Sequence, residues 1–311
     1  MVSSIKYLRR AAIDTSRWDR CIEESANGLI YGYSFYLDNM SRNWDALVWN
    51  DYEAVMPLTW NKKYGIYYLY QPAFTASLGV FGKNLTDEIL QQMLQAIPKK
   101  FRLVEIELNY GNNFDSLAKP GPIVFNDRTN YVLPLNRPYE ILYARYRENL
   151  QRNIKKSVNL GVKYVTGIAV DDVIKLARIQ MEGTTNYTGA DYENFKRLFE
   201  ILHDRKQALT CGVYTNDEEL AASAVFFFSH KRAYYILVGN RIDQRTEGAS
   251  PYLLDRFIHD HAGKDLLLDF EGSDIRGLAY FYSSFGAEPE LYPSARVNSL
   301  PLIVKILSSK F

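Results

Sequence analysis

The sequence predicts an α/β (α+β) protein made of two copies of one mixed-sheet unit, and three observations carry that expectation. A short segment recurs: Ile5-Lys6-Tyr7-Leu8 is echoed by Val162-Lys163-Tyr164-Val165, and Ala12-Ile13-Asp14 by Ala169-Val170-Asp171 at the same offset. Each copy then continues alike, with two helical segments, a strand, a turn of Asn-Asp type, two more strands, a helix and a buried strand. Composition suits a well-cored globular chain, with 311 residues, 47% hydrophobic and 14% aromatic.

The elements follow in order. In the first copy the strands are Asp45 to Trp49, Glu53 to Trp60 and Ile66 to Tyr70, with Asn50-Asp51 as the tight turn. In the second they are Ala208 to Tyr214, Leu220 to Phe228 and Ala233 to Val238, with Asn216-Asp217. Helices are expected over Thr86 to Ile97 and Pro251 to Ala262, and buried strands over Leu103 to Leu108 and Leu266 to Phe270. A loop-rich stretch from Gly111 to Pro138, with a short strand at Tyr131 to Leu133, separates domains of residues 1–135 and 136–311. Tyr139 to Gly161 reads as one helix whose Leu142, Tyr146, Leu150 and Ile154 pack. Its Arg145, Asn149, Arg152 and Lys156 share the opposite side within about 60°. That side reads either as a solvated face or as a wall for a phosphate- or carboxylate-bearing substrate.

Charge and cysteine content exclude several classes. Lys+Arg 37 against Asp+Glu 36 gives a net charge of +1, so the global basic field of an obligate nucleic-acid binder is missing and DNA is not an expected partner. Cys21 and Cys211 are too few and too far apart for a disulfide framework, and Cys211 alternates with Leu209 and Val213 as a core residue. His203, His230, His259 and His261 have no ligand partner at metal spacing, so no metal is expected. The amino terminus lacks the apolar core of a signal peptide, and no apolar run approaches the roughly 20 residues that span a bilayer, so a soluble, cytoplasmic chain is expected.

The chemistry-bearing stretch is Asp265 to Ala287. Leu266, Leu267, Leu268 and Phe270 form a strand covered on both faces, while Gly272 and Ser273 end it and Ser273 caps the next helix. Asp269 and Glu271 then share one strand face at its carboxyl end, where open α/β sheets place ligands; a solvated turn is the alternative for either alone. The following helix carries Ala279, Tyr282 and the stop residue Gly286 in an A-x-x-Y-x-x-x-G frame. Upstream, Arg245-Thr246-Glu247-Gly248-Ala249-Ser250 lies between a strand and a helix.

These two motifs resemble those of the GNAT acyltransferase superfamily, whose phosphate-binding signature is R/Q-x-x-G-x-G/A. Ser250 departs from it. The resemblance implies a site for the acyl-CoA pyrophosphate at Arg245, Gly248, Ala249 and Ser250, and a Tyr282 that protonates the departing thiolate. Leu150 to Ser157, Gly161-Val162, Asp269 to Ser273 and Phe281-Tyr282, in tandem halves, resemble the FemAB-like branch over nearly the whole chain. The fold this implies is two tandem GNAT-like domains, each a mixed sheet flanked by helices. Where the second copy has its phosphate motif, the first has the aromatic loop Gln71 to Gly79, so the first is expected to be degenerate for cofactor binding and to wall a substrate cleft.

The implied function is N-acyl transfer from an activated donor, acyl-CoA as co-substrate with no tightly bound cofactor, to a small-molecule or peptide-like amine. Asp269 or Glu271 is the base, Tyr282 the acid, and Arg145, Arg152 and Lys156 the substrate wall. The alternatives are a peptidyltransferase of Fem type using aminoacyl-tRNA, which the absent coiled-coil arm disfavours, and a non-catalytic binding protein.

Overall fold

A computed structural model describes residues 4–112, 123–241, 248–272 and 274–300. Among them, one compact unit takes residues 4–128 and 291–300, the other residues 129–290.

The first unit runs β1 (Ile5–Arg9), α1 (Thr15–Glu24), α2 (Ser34–Met40), β2 (Trp44–Trp49), β3 (Ala54–Lys63), β4 (Ile66–Leu69), β5 (Phe81–Gly82), α3 (Asp87–Gln95) and β6 (Phe101–Glu107). Its sheet order is β1-β2-β3-β4-β6, antiparallel from β1 to β4 and parallel between β4 and β6, with β5 on β3. Side-chain oxygens start two of the helices. Asp14 accepts from the amides of Ser16 and Arg17 at α1, and Thr86 from Ile89 at α3, which satisfies donors that have no partner inside the helix.

After β7 (Val124–Pro134), the second unit runs α4 (Tyr139–Ala144), α5 (Glu148–Asn159), β8 (Lys163–Thr166), α6 (Val170–Met181), α7 (Gly189–Asp204), β9 (Ala208–Tyr214), β10 (Leu220–Ser229), β11 (Arg232–Asn240), α8 (Ala249–His261), β12 (Leu267–Asp269) and α9 (Arg276–Ser283). The order β8-β9-β10-β11-β12 repeats that of the first unit, again antiparallel until the parallel β11–β12 pair. The echoed segments, Ile5 to Leu8 and Val162 to Val165, thus meet the matching edge strands β1 and β8, with Val162 one residue before β8. Each unit is a mixed sheet flanked by helices, as the sequence predicts.

The β10 sequence explains why both faces are covered. Phe226 and Phe227 are neighbours, so they point to opposite faces. Phe226 stacks on Phe257 of α8 at 3.7 Å, and Phe227 on Phe195 of α7 at 5.4 Å. The seven successive residues Ala221 to Phe227 are fully or almost fully buried, which fits a strand sandwiched between helical layers.

Three local expectations need correction. The strand around Tyr131 is the eleven-residue β7, whose Val132–Pro134 end pairs with β12. A strand that the sequence reading passed over, β13 (Glu288–Asn298), pairs through Ser294–Asn298 with β6, and that pairing draws residues 291–300 into the first unit. The expected single helix over Tyr139–Gly161 is two helices, broken at Arg145–Arg147. There the Arg147 amide donates to the Ser284 carbonyl at 3.0 Å, and Gln151 Nε2 donates to the carbonyls of Tyr143 and Tyr146, which no longer accept within a continuous helix.

Candidate active site

In the second unit the carboxyl ends of the parallel strands part. The β11–β12 ladder runs Arg232–Leu267, Ala233–Leu268 and Tyr234–Asp269, then stops. One step further, the register of β11 against β10 shifts between Val225 and Phe226, leaving Ile236 as an extra residue. A bulge bends and overtwists its strand, so β11 turns aside where β12 ends. Phe270 instead follows β7, its amide donating to the Tyr131 carbonyl at 3.0 Å. The result is a wedge between Tyr235 on one side and Phe270 on the other.

Buried aromatic rings pack together beside that parting. Tyr282 of α9 is 7% exposed and stacks on Phe270 at 4.7 Å, with Tyr235 edge-on to Phe270 at 6.3 Å. Burial, and secondarily the neighbouring Glu271 carboxylate, raise the Tyr282 phenol above the ordinary tyrosine range. The Tyr235 phenol is raised chiefly by burial and then by Tyr282, against a smaller lowering by the Ser250 side chain in the first turn of α8. The fold therefore gathers Tyr282, Glu271, Tyr235 and Ser250 around one place.

Asp269 and Glu271 do not share a strand face. β12 ends at Asp269, and Glu271 (φ 67°) and Gly272 (φ 82°) both turn left-handed. The cause is side-chain capture of their amides: the Glu271 N–H donates to Asp269 Oδ1 at 3.0 Å, and the Gly272 N–H to Asn130 Oδ1 at 2.6 Å. Asp269 is 5% exposed and accepts two further bonds, from Asn130 Nδ2 and Arg232 at 2.8 Å each. Glu271 is half-buried. Ser273, the expected cap of α9, lies outside the described residues, and Ile275 precedes the first helical residue.

Of the proposed phosphate motif, Arg245 lies outside the described residues, while Gly248, Ala249 and Ser250 open α8. Gly248 has φ +87°, and a Cβ there would stand 2.3 Å from the Asn153 carbonyl of α5, so glycine is required both by conformation and by the approach of α5. Arg152 and Lys156, each next in sequence to Asn153 or Ser157, the α5 residues nearest Gly248, are exposed. Arg145 is set apart from them by the helix break and pairs with Glu288 at 2.8 Å. The α5 start also holds α9: Asn149 Nδ2 donates to the Tyr280 hydroxyl at 3.1 Å, and Arg147 lies 4.5 Å over the Tyr280 ring.

A hollow of about 670 Å³ lies at the carboxyl end of β11, lined by Asp172, Lys175, Tyr214, Glu218, Asn240 and Arg241 among others. Cys211 is fully buried, its thiol pushed up to about 12 by burial, which fits a core residue rather than a nucleophile. Among the described residues no group of three or more His, Cys, Asp or Glu side chains is placed to hold a metal ion, and no helix is long and apolar enough to cross a membrane.

The sequence reading passed over Tyr235, Asn130, Arg232 and Glu290. A strand tyrosine carries no signal distinct from core packing. The other three become informative only once β7 and β13 are known to flank β12 and β6.

Residues 144–274, all within the second unit, match the family model described as an acetyltransferase (GNAT) domain. That segment has a GNAT-type fold. The crystal structure of FemX aligns with a TM-score of 0.62 at 12% identity, over 93% of this chain and 96% of that one. The C-terminal domain of a putative lysylphosphatidylglycerol synthetase from Agrobacterium fabrum aligns with a TM-score of 0.59 at 9% identity, covering 95% of each chain. The structure of L-PGS from Bacillus licheniformis gives 0.56 at 10% identity, over 94% of this chain and 95% of that one. At these identities the likeness is one of fold. No curated protein matches the sequence.

Proposed function

We propose that this chain is an N-acyltransferase whose second unit takes an acyl-CoA donor into the wedge between β11 and β12 and transfers the acyl group to an amine. The supporting observation is the bulged, parted end of β11, which stands beside the amino end of α8, with Tyr235, Phe270 and Tyr282 packed together beside it. A pyrophosphate is stabilised at a helix amino end by free amides and the helix dipole. Ala249 and Ser250 offer that end, and the exposed Arg152 and Lys156 of α5 add positive charge. The parted strand end receives the thioester arm.

Glu271, rather than the fully engaged Asp269, is the base. The amine nitrogen attacks the thioester carbonyl, Glu271 takes the proton the nitrogen sheds, the C–S bond breaks, and the Tyr282 phenol gives its proton to the thiolate.

Calorimetric titration with acetyl-CoA and longer acyl-CoAs tests the donor. Binding, with free CoA released on adding an amine, is the expected result. Failure to bind any of them, alongside salt-dependent binding of aminoacyl-tRNA, replaces this reading with the tRNA-dependent one.

A further inference from the structure

Asn130, Asp269 and Arg232 are each less than 9% exposed, and with Glu290 they form one polar network inside the second unit. Arg232 grips Glu290 with two bonds, of 2.7 and 3.0 Å, and reaches Asp269 at 2.8 Å. Asn130 Nδ2 donates to Asp269 at 2.8 Å and reaches Glu290 at 3.4 Å. Two carboxylates and one guanidinium taken from water do not readily stabilise a fold, because desolvation offsets much of their attraction. The network does have a conformational consequence. Its inner oxygens, Asp269 Oδ1 and Asn130 Oδ1, hold the amides of Glu271 and Gly272, the two successive left-handed residues that carry the chain from β12 toward α9. A non-glycine residue in that conformation costs about 1–3 kcal/mol and persists only when its surroundings impose it.

We propose that Asn130 and Arg232 are positioning residues: Asn130 directly and Arg232 through Asp269, they lock the Glu271–Gly272 turn and so keep the Glu271 carboxylate beside the Tyr282 phenol. Asn130 holds the turn directly. Arg232 fixes the Asp269 carboxylate in the orientation that leaves Oδ1 for the Glu271 amide. The role assigned to Glu271 rests on the acyl-transfer reading, whereas the locked turn does not.

Amide exchange followed by NMR separates the two. In the wild-type protein the Glu271 and Gly272 amides are expected to exchange far more slowly than in an unstructured chain. In Asn130→Ala the Gly272 amide loses at least about tenfold of that protection, kcat falls by up to about 10²-fold with donor KM unchanged, and the acid limb of the kcat–pH profile moves. Glu290→Gln leaves Arg232 one acceptor at a less buried position, and serves if Asn130→Ala does not fold; it is expected to give the same pattern at smaller amplitude. Unprotected amides in the wild-type protein, or variants with wild-type exchange and an unmoved pH profile, overturn the proposal. Protected amides in a protein that transfers no acyl group leave the locked turn standing and sink the acyl-transfer reading alone.

Discussion

Beyond the last parallel rung of the first unit, Leu69 opposite Val104, the space between β4 and β6 is refilled by the chain itself. Leu78 makes a parallel bridge to Leu108, its amide donating to Glu107 and its carbonyl accepting from Asn109. Asn27, Asn109 and Asn112 all donate to the Val80 carbonyl, and Gln71 accepts from the Glu107 amide. Beyond the last rung of the second unit, Tyr234 opposite Asp269, β11 bulges at Ile236 and, among the described residues, pairs only with β10. One strand order therefore yields a sealed sheet end in one unit and a parted one in the other. The difference lies in a loop that turns back to pair and a single extra strand residue, not in the fold. The loop from Gln71 to Gly79, expected to be degenerate for cofactor binding, is also the plug.

The comparison breaks most visibly at Tyr282. Tyr282→Phe removes only the hydroxyl from a packed ring, so the melting temperature should hold while transfer slows by roughly 10²-fold, the low end for loss of a general acid. Turnover and melting measured on the same sample check both halves of that statement, and unchanged turnover assigns the residue to packing. Gly248→Ala comes next. A Cβ at φ +87°, 2.3 Å from a backbone oxygen, forces the α8 entrance to shift, and donor affinity should fall by about tenfold or more. The matching glycine of the plug, Gly79, has φ +95° and would place a Cβ 2.3 Å from Asn112 Oδ1, so Gly79→Ala should cost stability and leave donor affinity intact. Calorimetry on both variants sharpens the contrast.

Removing the plug's polar anchor should act on stability alone. Asn109→Ala removes one of several donors from the Leu78 and Val80 carbonyls and takes the Oδ1 acceptor from the Gly111 amide, and should lower unfolding free energy by about 1–3 kcal/mol, read by denaturant titration. The smallest effect is a pH dependence. Tyr235 and Tyr282 hold their protons in the folded state above the ordinary phenol range, while the unfolded chain releases them near pH 10. The unfolded state thus binds fewer protons above that point, so stability contributed by these groups is complete below about pH 10 and declines as pH rises further. Melting curves across that range should show a shallower decline in Tyr282→Phe.

Much of the fold was legible because periodicity and turn chemistry are local. The Asn-Asp turns, the buried run at Leu266 to Phe270 and the recurrence of Ile5 to Leu8 at Val162 led to the repeated strand order. The matching edge strands followed from it. What was hidden depends on pairing across long sequence distances. Pro289 and Pro293 disguise β13, Pro134 disguises the end of β7, and nothing in Tyr-Tyr-Ile-Leu-Val at 234–238 marks Ile236 as an extra residue. The same limit governed the site. Tyr282 and Glu271 were legible from their frame, but an Asp two residues before a Glu looks like a strand face until Asn130, 139 residues away, is seen to draw the chain into a turn. The expected basic stripe failed at Arg145 for a related reason, because the Ser284 carbonyl that stops the helix comes from far along the chain.

The central claim is that the parted sheet end of the second unit, and not the plugged end of the first, receives the donor. An acyl-CoA analogue with a photoreactive group on its acyl chain, irradiated in complex with the wild-type protein and mapped by peptide mass spectrometry, reads this directly. The account predicts label on peptides covering residues 235–240 and 270–282, suppressed by excess acetyl-CoA. Competed label confined to peptides covering residues 69–80 and 104–109 would contradict it.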